Sequence, residues 1–517
     1  MSRRNSPVAR FALGVALAAV LAACATPAPP PRLTLPESRA AAPAPGGLLA
    51  DIEEGIRAKH GPGRSGFGLL DANEDGLRWR IALVDSARHT LDIQYYVWWA
   101  DESGELLMRR IVQAADRGVR VRLVVDDLTT LLEDEAHPRI RDAGFLRVDA
   151  HPNISVRYFN AWRERSMAGR AVEMIERMER LNHRMHNKLL VADNRAAVIG
   201  GRNVGNEYFG LSPHFNFRDL DVLGVGPVAR QASAVFDAFW NSGWVVPARK
   251  AAPDGGPDAG EAAARRLATS PILARFPPAP KDWRAEMEAF AGAMHGGTSR
   301  VHTDRPDGEQ LKHHMPAAIR ALMQGAKREV LVSNAYIIPD ERSVENLRGI
   351  TSRGVRVRVL TNSLASHDVP AVNSHYKPWR RPLIDAGVEL HEMRHDAAVQ
   401  PLLADTPPVK AGFMGLHVKA MVIDRERVFI GSMNLDPRSA ELNSEMGVIV
   451  DSPGLAGELA ASLDRDMSAP NAWRVTLADD GGLLWSDGRR FERRQPARGF
   501  WQRVEDVFFM AFPRDLY

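Results

Sequence analysis

HNKLLVADNRAAVIGGRN, residues 186–203, decides the fold, because its pattern returns as HVKAMVIDRERVFIGSMN at residues 417–434. Both stretches read H-x-K, four residues, D, six residues, G-[GS]-x-N. One chain therefore carries the same small-site pattern twice, 231 positions apart from His186 to His417. In H-x-K the two side chains lie two apart, and on a β-strand residues i and i+2 point to one face. The runs LLVA and AMVI after the lysines are apolar and suit buried strands. His186 and Lys188 are expected to project together, as are His417 and Lys419. AAVIG and RVFIG read as the following strands, with Asn203 and Asn434 at their exits, where loops carry function.

These residue types suit phosphoryl transfer. A neutral imidazole can attack phosphorus and hold a covalent phosphoryl group. A second, protonated imidazole can give a proton to the leaving alkoxide and later take one from the incoming alcohol or water. Lysine supplies charge and asparagine an amide donor to the non-bridging oxygens. Each histidine needs an acceptor for its other nitrogen. Glu445, eleven residues after Asn434, is the sequence candidate for His417. Asp219 in FRDLDV holds the matching place in the first copy, for His186, with Asp221 as runner-up. Lysine and asparagine do the work a metal otherwise would, so no metal and no other cofactor is expected.

The arrangement resembles the phospholipase D superfamily, the HKD proteins. The likeness extends beyond the motifs. LDIQYYVWWADESGELLMRRIVQAADRGVRVRLVVDD (from Leu91) parallels VLVSNAYIIPDERSVENLRGITSRGVRVRVLTNS (from Val330). RGVRVR itself recurs at Arg117 and Arg353, so a whole strand–helix–strand unit is duplicated. The resemblance implies an α/β fold: two duplicated α/β/α sandwich halves forming one bilobal unit with a single active site between them. It implies His186 as nucleophile, His417 as acid/base, and Lys188, Lys419, Asn203 and Asn434 as phosphate-holding groups. Asp193 and Asp424 lie far along the strands from the histidines and read as structural. Gly201 stands where the second copy keeps Ser432, and GGRN looks like the form common in cardiolipin-synthase-like members.

The ends and composition add a location. Arg3, Arg4 and Arg10, the apolar FALGVALAAVLAA and the sequence Leu-Ala-Ala-Cys24 read as residues 1–23 of a lipoprotein signal, with Cys24 as the lipidated residue. Cys24 is the only cysteine, and residues 24–47 are a Pro/Ala-rich tether. Ala25 favours the outer membrane, on the periplasmic side of the cell envelope. Removal of residues 1–23 takes away three arginines and no acids, which brings the formal charge from +3 to zero. A nucleic-acid enzyme would more often carry a basic surplus, so no nucleic acid is expected as partner. The remaining divisions are 48–245 as the first half, 246–314 as linker and irregular segment, and 315–517 as the second half with a C-terminal segment.

Three segments could meet the substrate. They are Trp98 and Trp99 in YYVWW, the loop from Ser363 (with His367, His375, Tyr376, Lys377, Trp379 and Arg380), and GFWQRVEDVFFMAFPRDLY at the end. The expected function is a membrane-associated phosphatidyltransferase of cardiolipin synthase type. Phosphatidylglycerol, or phosphatidylethanolamine, is the donor and phosphatidylglycerol the acceptor. Phospholipase D hydrolysis is the alternative, with the same residues and water as acceptor, and an exported phosphodiesterase is a further one. Donor headgroup, oligomeric state and any helper subunit are open at this stage.

Overall fold

The apolar runs after the two motif lysines are strands, and each turns back on itself at the motif aspartate. In the computed structural model of the chain, residues 35–43, 45–127, 136–164, 166–251, 267–308 and 310–511 are described. The expected signal, Cys24 and the tether up to residue 34 lie outside them. In the first half the strands are β1 (Ser65–Leu70), β2 (Thr90–Tyr95), β3 (Arg120–Asp126), β4 (Ile154–Phe159), β5 (Leu189–Ala192), β6 (Ala196–Gly200), β7 (Phe215–Arg218), β8 (Asp221–Val225) and β9 (Val245–Pro247). There follow β10 (His295–Thr303), β11 (Arg305–Asp307), β12 (Gln310–Lys312), β13 (Glu329–Asn334), β14 (Arg356–Asn362), β15 (Val388–Met393), β16 (Phe413–Leu416), β17 (Lys419–Ile423), β18 (Arg427–Gly431), β19 (Met446–Asp451), β20 (Ala472–Leu477), β21 (Leu483–Ser486) and β22 (Phe491–Glu492).

Strand pairing gives one continuous sheet of 18 strands among the described residues. From one edge the order runs β9-β4-β3-β2-β5-β6-β8-β1, and this half ends at the centre. β1 pairs antiparallel with β10 at that centre, from Ser65 opposite Gly297 to Phe67 opposite His295. The second half then runs outward as β10-β19-β18-β17-β13-β14-β15-β20-β21-β22. From the β1/β10 seam outward the second half repeats the first as far as β20, the counterpart of β9, and β21 and β22 extend it by two strands. The duplicated α/β architecture expected from the sequence is present, with the two halves fused through one sheet.

The repeated segments fold alike for local reasons. After β2, Asp101 caps the helix Glu102–Asp116 by accepting from the Gly104 N–H, at 3.0 Å. After β13, Asp340 caps Glu341–Thr351 by accepting from Ser343 N–H, at 2.7 Å. Both helices stop just before RGVRVR, whose glycines take left-handed φ of +95° at Gly118 and +81° at Gly354. That conformation ends a helix and suits glycine. The VRVR residues then open β3 and β14, which run parallel to β2 and β13, as a helical crossover requires. Buried aliphatic side chains such as Leu91, Ile93 and Leu123 in one half, and Val330, Val332 and Leu390 in the other, fill the two cores.

The stretch 246–314 differs from its reading as linker and irregular segment. It begins within β9, which pairs with β4 of the first half, and it contains the helix Arg284–Ala293 and the nine-residue β10. The second half therefore starts before residue 315. HGGTSRVHT hides its strand character because most of its side chains are only partly buried. Its place in the sheet comes from backbone pairing to β1 and β19, which leaves no apolar alternation to read.

Candidate active site

Two short parallel contacts between the halves build the site. β7 of the first half pairs with β16 of the second, ending with Arg218 opposite Leu416, and the His417 N–H then donates to the Arg218 carbonyl at 2.8 Å. At the equivalent place Met185 bridges Ser444, and the His186 N–H donates to the Ser444 carbonyl at 2.9 Å. Each motif histidine thus enters beside a backbone segment of the other half. The residue that follows that segment is an acid. His417 Nδ1 lies 2.6 Å from Asp219 Oδ2, and His186 Nδ1 lies 2.9 Å from both Glu445 oxygens.

This corrects the pairing expected from the sequence, which gave each histidine the acid of its own copy. The parallel contacts exchange them: Glu445 serves His186, and Asp219 serves His417. The runner-up Asp221 is one of the buried acids of the first core, where Arg80 (2.9 Å) and Arg202 (3.0 Å) both hold its Oδ2.

The lysines fold back beside the histidines. Lys188 Nζ donates to the His186 carbonyl at 2.7 Å and Lys419 Nζ to the His417 carbonyl at 2.6 Å. Asn203 sits after β6, and its Oδ1 accepts from the Val97 N–H at 3.2 Å. Asn434 sits after β18, and its Oδ1 is buried without a hydrogen-bond partner among the described residues. The Ser432 hydroxyl donates to Glu445 and accepts from the Met446 N–H at 3.0 Å. At Gly201 a Cβ would come within 2.5 Å of Asp219 Oδ1. The missing serine of the first copy is therefore the space that Asp219 occupies. Asp193 and Asp424 lie at the hairpin turns, with φ of +51° and +56°. Asp193 accepts from the N–H groups of Arg88, His89 and Thr90, and Asp424 from those of Lys327, Arg328 and Glu329. Each aspartate ties its hairpin to the start of the neighbouring strand and is remote from the imidazole chemistry.

Burial sets the charges. Loss of water, together with Lys188 and Lys419 nearby, holds the His186 imidazole well below its ordinary range. Burial and then Lys419 lower His417 to about 4, against the raising effect of Asp219. Burial lowers Lys188 well below the usual ammonium range and Lys419 to about 8. Burial pushes the Glu445 carboxyl up, against the pull of Lys188. At neutral pH both imidazoles are thus uncharged at rest. With Nδ1 of each taken by a carboxyl group, Nε2 is the nitrogen left for a substrate.

A sequence-family profile described as "Cardiolipin synthase, PLD-like domain" matches residues 81–240 and 319–467, one block in each half. Cardiolipin synthase C of Escherichia coli strain K12 is 33% identical over 472 residues, covering 86% of this chain and 94% of that protein. The chain belongs to the cardiolipin synthase, PLD-like domain family. It is an enzyme of the phospholipase D superfamily. The major cardiolipin synthase ClsA of Bacillus subtilis strain 168 is 25% identical over 403 residues, covering 77% of this chain and 68% of that one. Among solved structures, the phosphatidylserine synthase of Haemophilus influenzae Rd KW20 shares the fold, with a TM-score of 0.52 at 13% identity. It covers 80% of this chain and 90% of that one.

In this member of the family, aromatic groups that the motif reading did not single out line the site. Tyr96 stands edge-on to His186 at 4.7 Å, and Lys188 Nζ lies 5.1 Å from its ring. Tyr336, one position further along the matching segment of the second copy, has Lys419 Nζ 5.8 Å from its ring and donates its hydroxyl to Asp368 at 2.6 Å. Tyr208 and Phe217 flank His417 at 5.2 and 4.9 Å. The repeat gave no signal for them: in the aligned copies Tyr96 falls opposite Ala335 and Tyr336 opposite Val97. Trp98, expected to face a headgroup, is instead a core residue packed edge-on against Tyr95 and Phe145. Trp99 is half-buried beside Gly205. In the Ser363 loop His367 stacks on Tyr336 at 5.6 Å, whereas Tyr376 and Arg380 are spent on buried Glu392. Among the described residues no group of three or more His, Cys, Asp or Glu is arranged to hold a metal, and no helix is long and apolar enough to cross a membrane.

Proposed function

We propose that this enzyme is a membrane-associated phosphatidyltransferase that makes cardiolipin through a phosphohistidine. The observation that carries the reading is the pair of buried imidazoles, each held at Nδ1 by an acid of the opposite half. His186 Nε2 attacks the phosphorus of a phosphatidyl donor, phosphatidylglycerol or phosphatidylethanolamine. The P–O bond to the headgroup breaks, and His417, which takes up a proton from solvent as the anionic donor binds, gives that proton to the leaving alkoxide. The hydroxyl of a second phosphatidylglycerol then loses its proton to His417 and attacks phosphorus, and the P–N bond to His186 breaks. Lys188, Lys419, Asn203 and Asn434 hold the non-bridging oxygens. The names of the relatives support the lipid substrate, and the L-A-A-C24 signal supports an envelope anchor facing the periplasm, with Ala25 favouring the outer membrane.

The test is lipid analysis of a cardiolipin-deficient bacterial strain expressing this protein beside His186→Ala and His417→Ala. Cardiolipin in the wild type alone is the expected result. Phosphatidic acid without cardiolipin would make the enzyme a hydrolase. No lipid change from expressed, anchored protein would overturn the lipid reading. Labelling of the wild type, but not of Cys24→Ser, by a fatty acid tests the anchor.

A further inference from the structure

The helix Phe500–Phe508 is amphipathic in the reverse sense. Its buried residues are polar, Gln502 and Asp506, while Phe500 (72% exposed), Trp501 (74%), Val504 (40%) and Val507 (64%) face outward. At helical spacing these four fall in one arc of about 120°, opposite the polar pair. A helix packed for core stability alone would be turned the other way round. The polar face is firmly seated: Gln502 Nε2 donates to the Leu364 carbonyl at 2.5 Å. Asp506 accepts from Asn373 Nδ2 at 2.6 Å and pairs with Lys377 at 2.7 Å. The orientation is therefore specified by buried hydrogen bonds.

Charge says what the outward face meets. Residues 489–503 carry Arg489, Arg490, Arg493, Arg494, Arg498 and Arg503 against one acid, Glu492. The first five of these arginines are exposed; Arg493 is paired with Asp480 and Arg498 donates to the Ala365 carbonyl. An apolar stripe with an aromatic residue and a collar of arginines matches an anionic phospholipid surface, where rings enter the headgroup layer and cations meet phosphates. A second copy of the chain fits worse, because a two-fold interface would set arginines against arginines. The place also fits. The loop under the helix runs on to Asp368, which holds Tyr336 over Lys419 at the site.

We infer that the outward face of this C-terminal helix, with its arginine collar, docks the enzyme on anionic bilayers and holds the active-site entrance at the lipid surface. The inference rests on the phospholipid reading of the site and adds a surface independent of any N-terminal anchor.

The test uses the full chain with vesicles of brominated lipid, phosphatidylcholine alone or with phosphatidylglycerol. The readout is the difference in tryptophan fluorescence between wild type and Trp501→Phe, which reports position 501 whatever the N-terminus does. Quenching of that difference signal, stronger with phosphatidylglycerol, is expected. An unquenched signal, or a dimer that Trp501→Ser dissolves, would overturn the inference. In parallel, Phe500→Ser/Trp501→Ser/Val507→Ser is expected to lose about tenfold or more of its turnover on vesicles, through loss of interfacial apolar area. Turnover of a soluble short-chain phosphatidylglycerol should be unchanged. Equal loss on both substrates would overturn the docking role. A wild type inactive on both would remove the lipid-enzyme reading, while the quenching still decides the surface.

Discussion

Asp219 belongs to the first half of the chain, yet its carboxylate holds His417 of the second half at 2.6 Å. Glu445 returns the arrangement to His186 at 2.9 Å. Neither half is a complete acid–base unit without the other. Glu445→Gln and Asp219→Asn should each lower turnover by about 10²–10⁴-fold, as loss of an orienting carboxylate behind an imidazole does. Rapid-quench experiments with an aryl phosphodiester separate them. An aryloxide leaves without a proton, so Asp219→Asn should keep the burst of phosphoenzyme and Glu445→Gln should lose it. The opposite outcome would exchange the roles of the two histidines.

Gly201 is tested by adding what the second copy has. A side chain there would crowd Asp219 Oδ1, which also accepts from the Leu220 N–H at 2.8 Å. Gly201→Ser should therefore displace the acceptor of His417 and cost about tenfold or more in turnover. Ser432→Ala removes a donor to Glu445 without crowding it and should cost less. Steady-state kinetics on both variants check the order, and a milder effect at Gly201 would show that Asp219 can move aside.

The motif aspartates should separate stability from chemistry. Each accepts three neighbouring backbone N–H groups at the foot of a strand, and Ala would leave these without their acceptor. Asp193→Ala and Asp424→Ala should each destabilise the protein by roughly 2–4 kcal/mol, the scale of several lost buried hydrogen bonds. The activity of the protein that stays folded should be little changed. Denaturant melts beside active-site-titrated kinetics check this, and a large fall in turnover per folded molecule would give the aspartates a part in the chemistry.

These contrasts show what was legible in the chain. The duplicated strands, the caps at Asp101 and Asp340 and the turn glycines Gly118 and Gly354 are local, so the sequence carries them in plain spacing. The motif residues followed from chemistry and repetition. The partnership of each histidine did not, because it depends on β7 lying against β16 and Met185 against Ser444, contacts with no local signature. β10 escaped for a related reason, since backbone pairing at the seam holds it in place. Trp98 was misplaced because an aromatic residue next to a charged loop looks exposed until Phe145 is packed beside it.

The resting site is short of protons, and that has a sign. His417 is lowered from its ordinary 6.5 to about 4, chiefly by burial. Between those values the unfolded chain binds a proton that the folded site refuses, so stability falls as pH falls from 6.5 towards 4. His186 is lowered too and acts in the same direction. An anion in the site reverses the bias, because its negative charge favours imidazolium and ammonium and raises His417 and Lys419 towards their ordinary values. Binding of tungstate or inorganic phosphate near pH 6 should therefore take up protons, on the order of one per site and chiefly at His417, by this linkage. Calorimetry in two buffers of different ionisation heat measures the number directly. Uptake should shrink in His417→Ala, which removes one of the receiving groups. Binding without proton uptake would mean that His417 is already charged at rest, and the acid–base cycle would then have to start from the imidazolium.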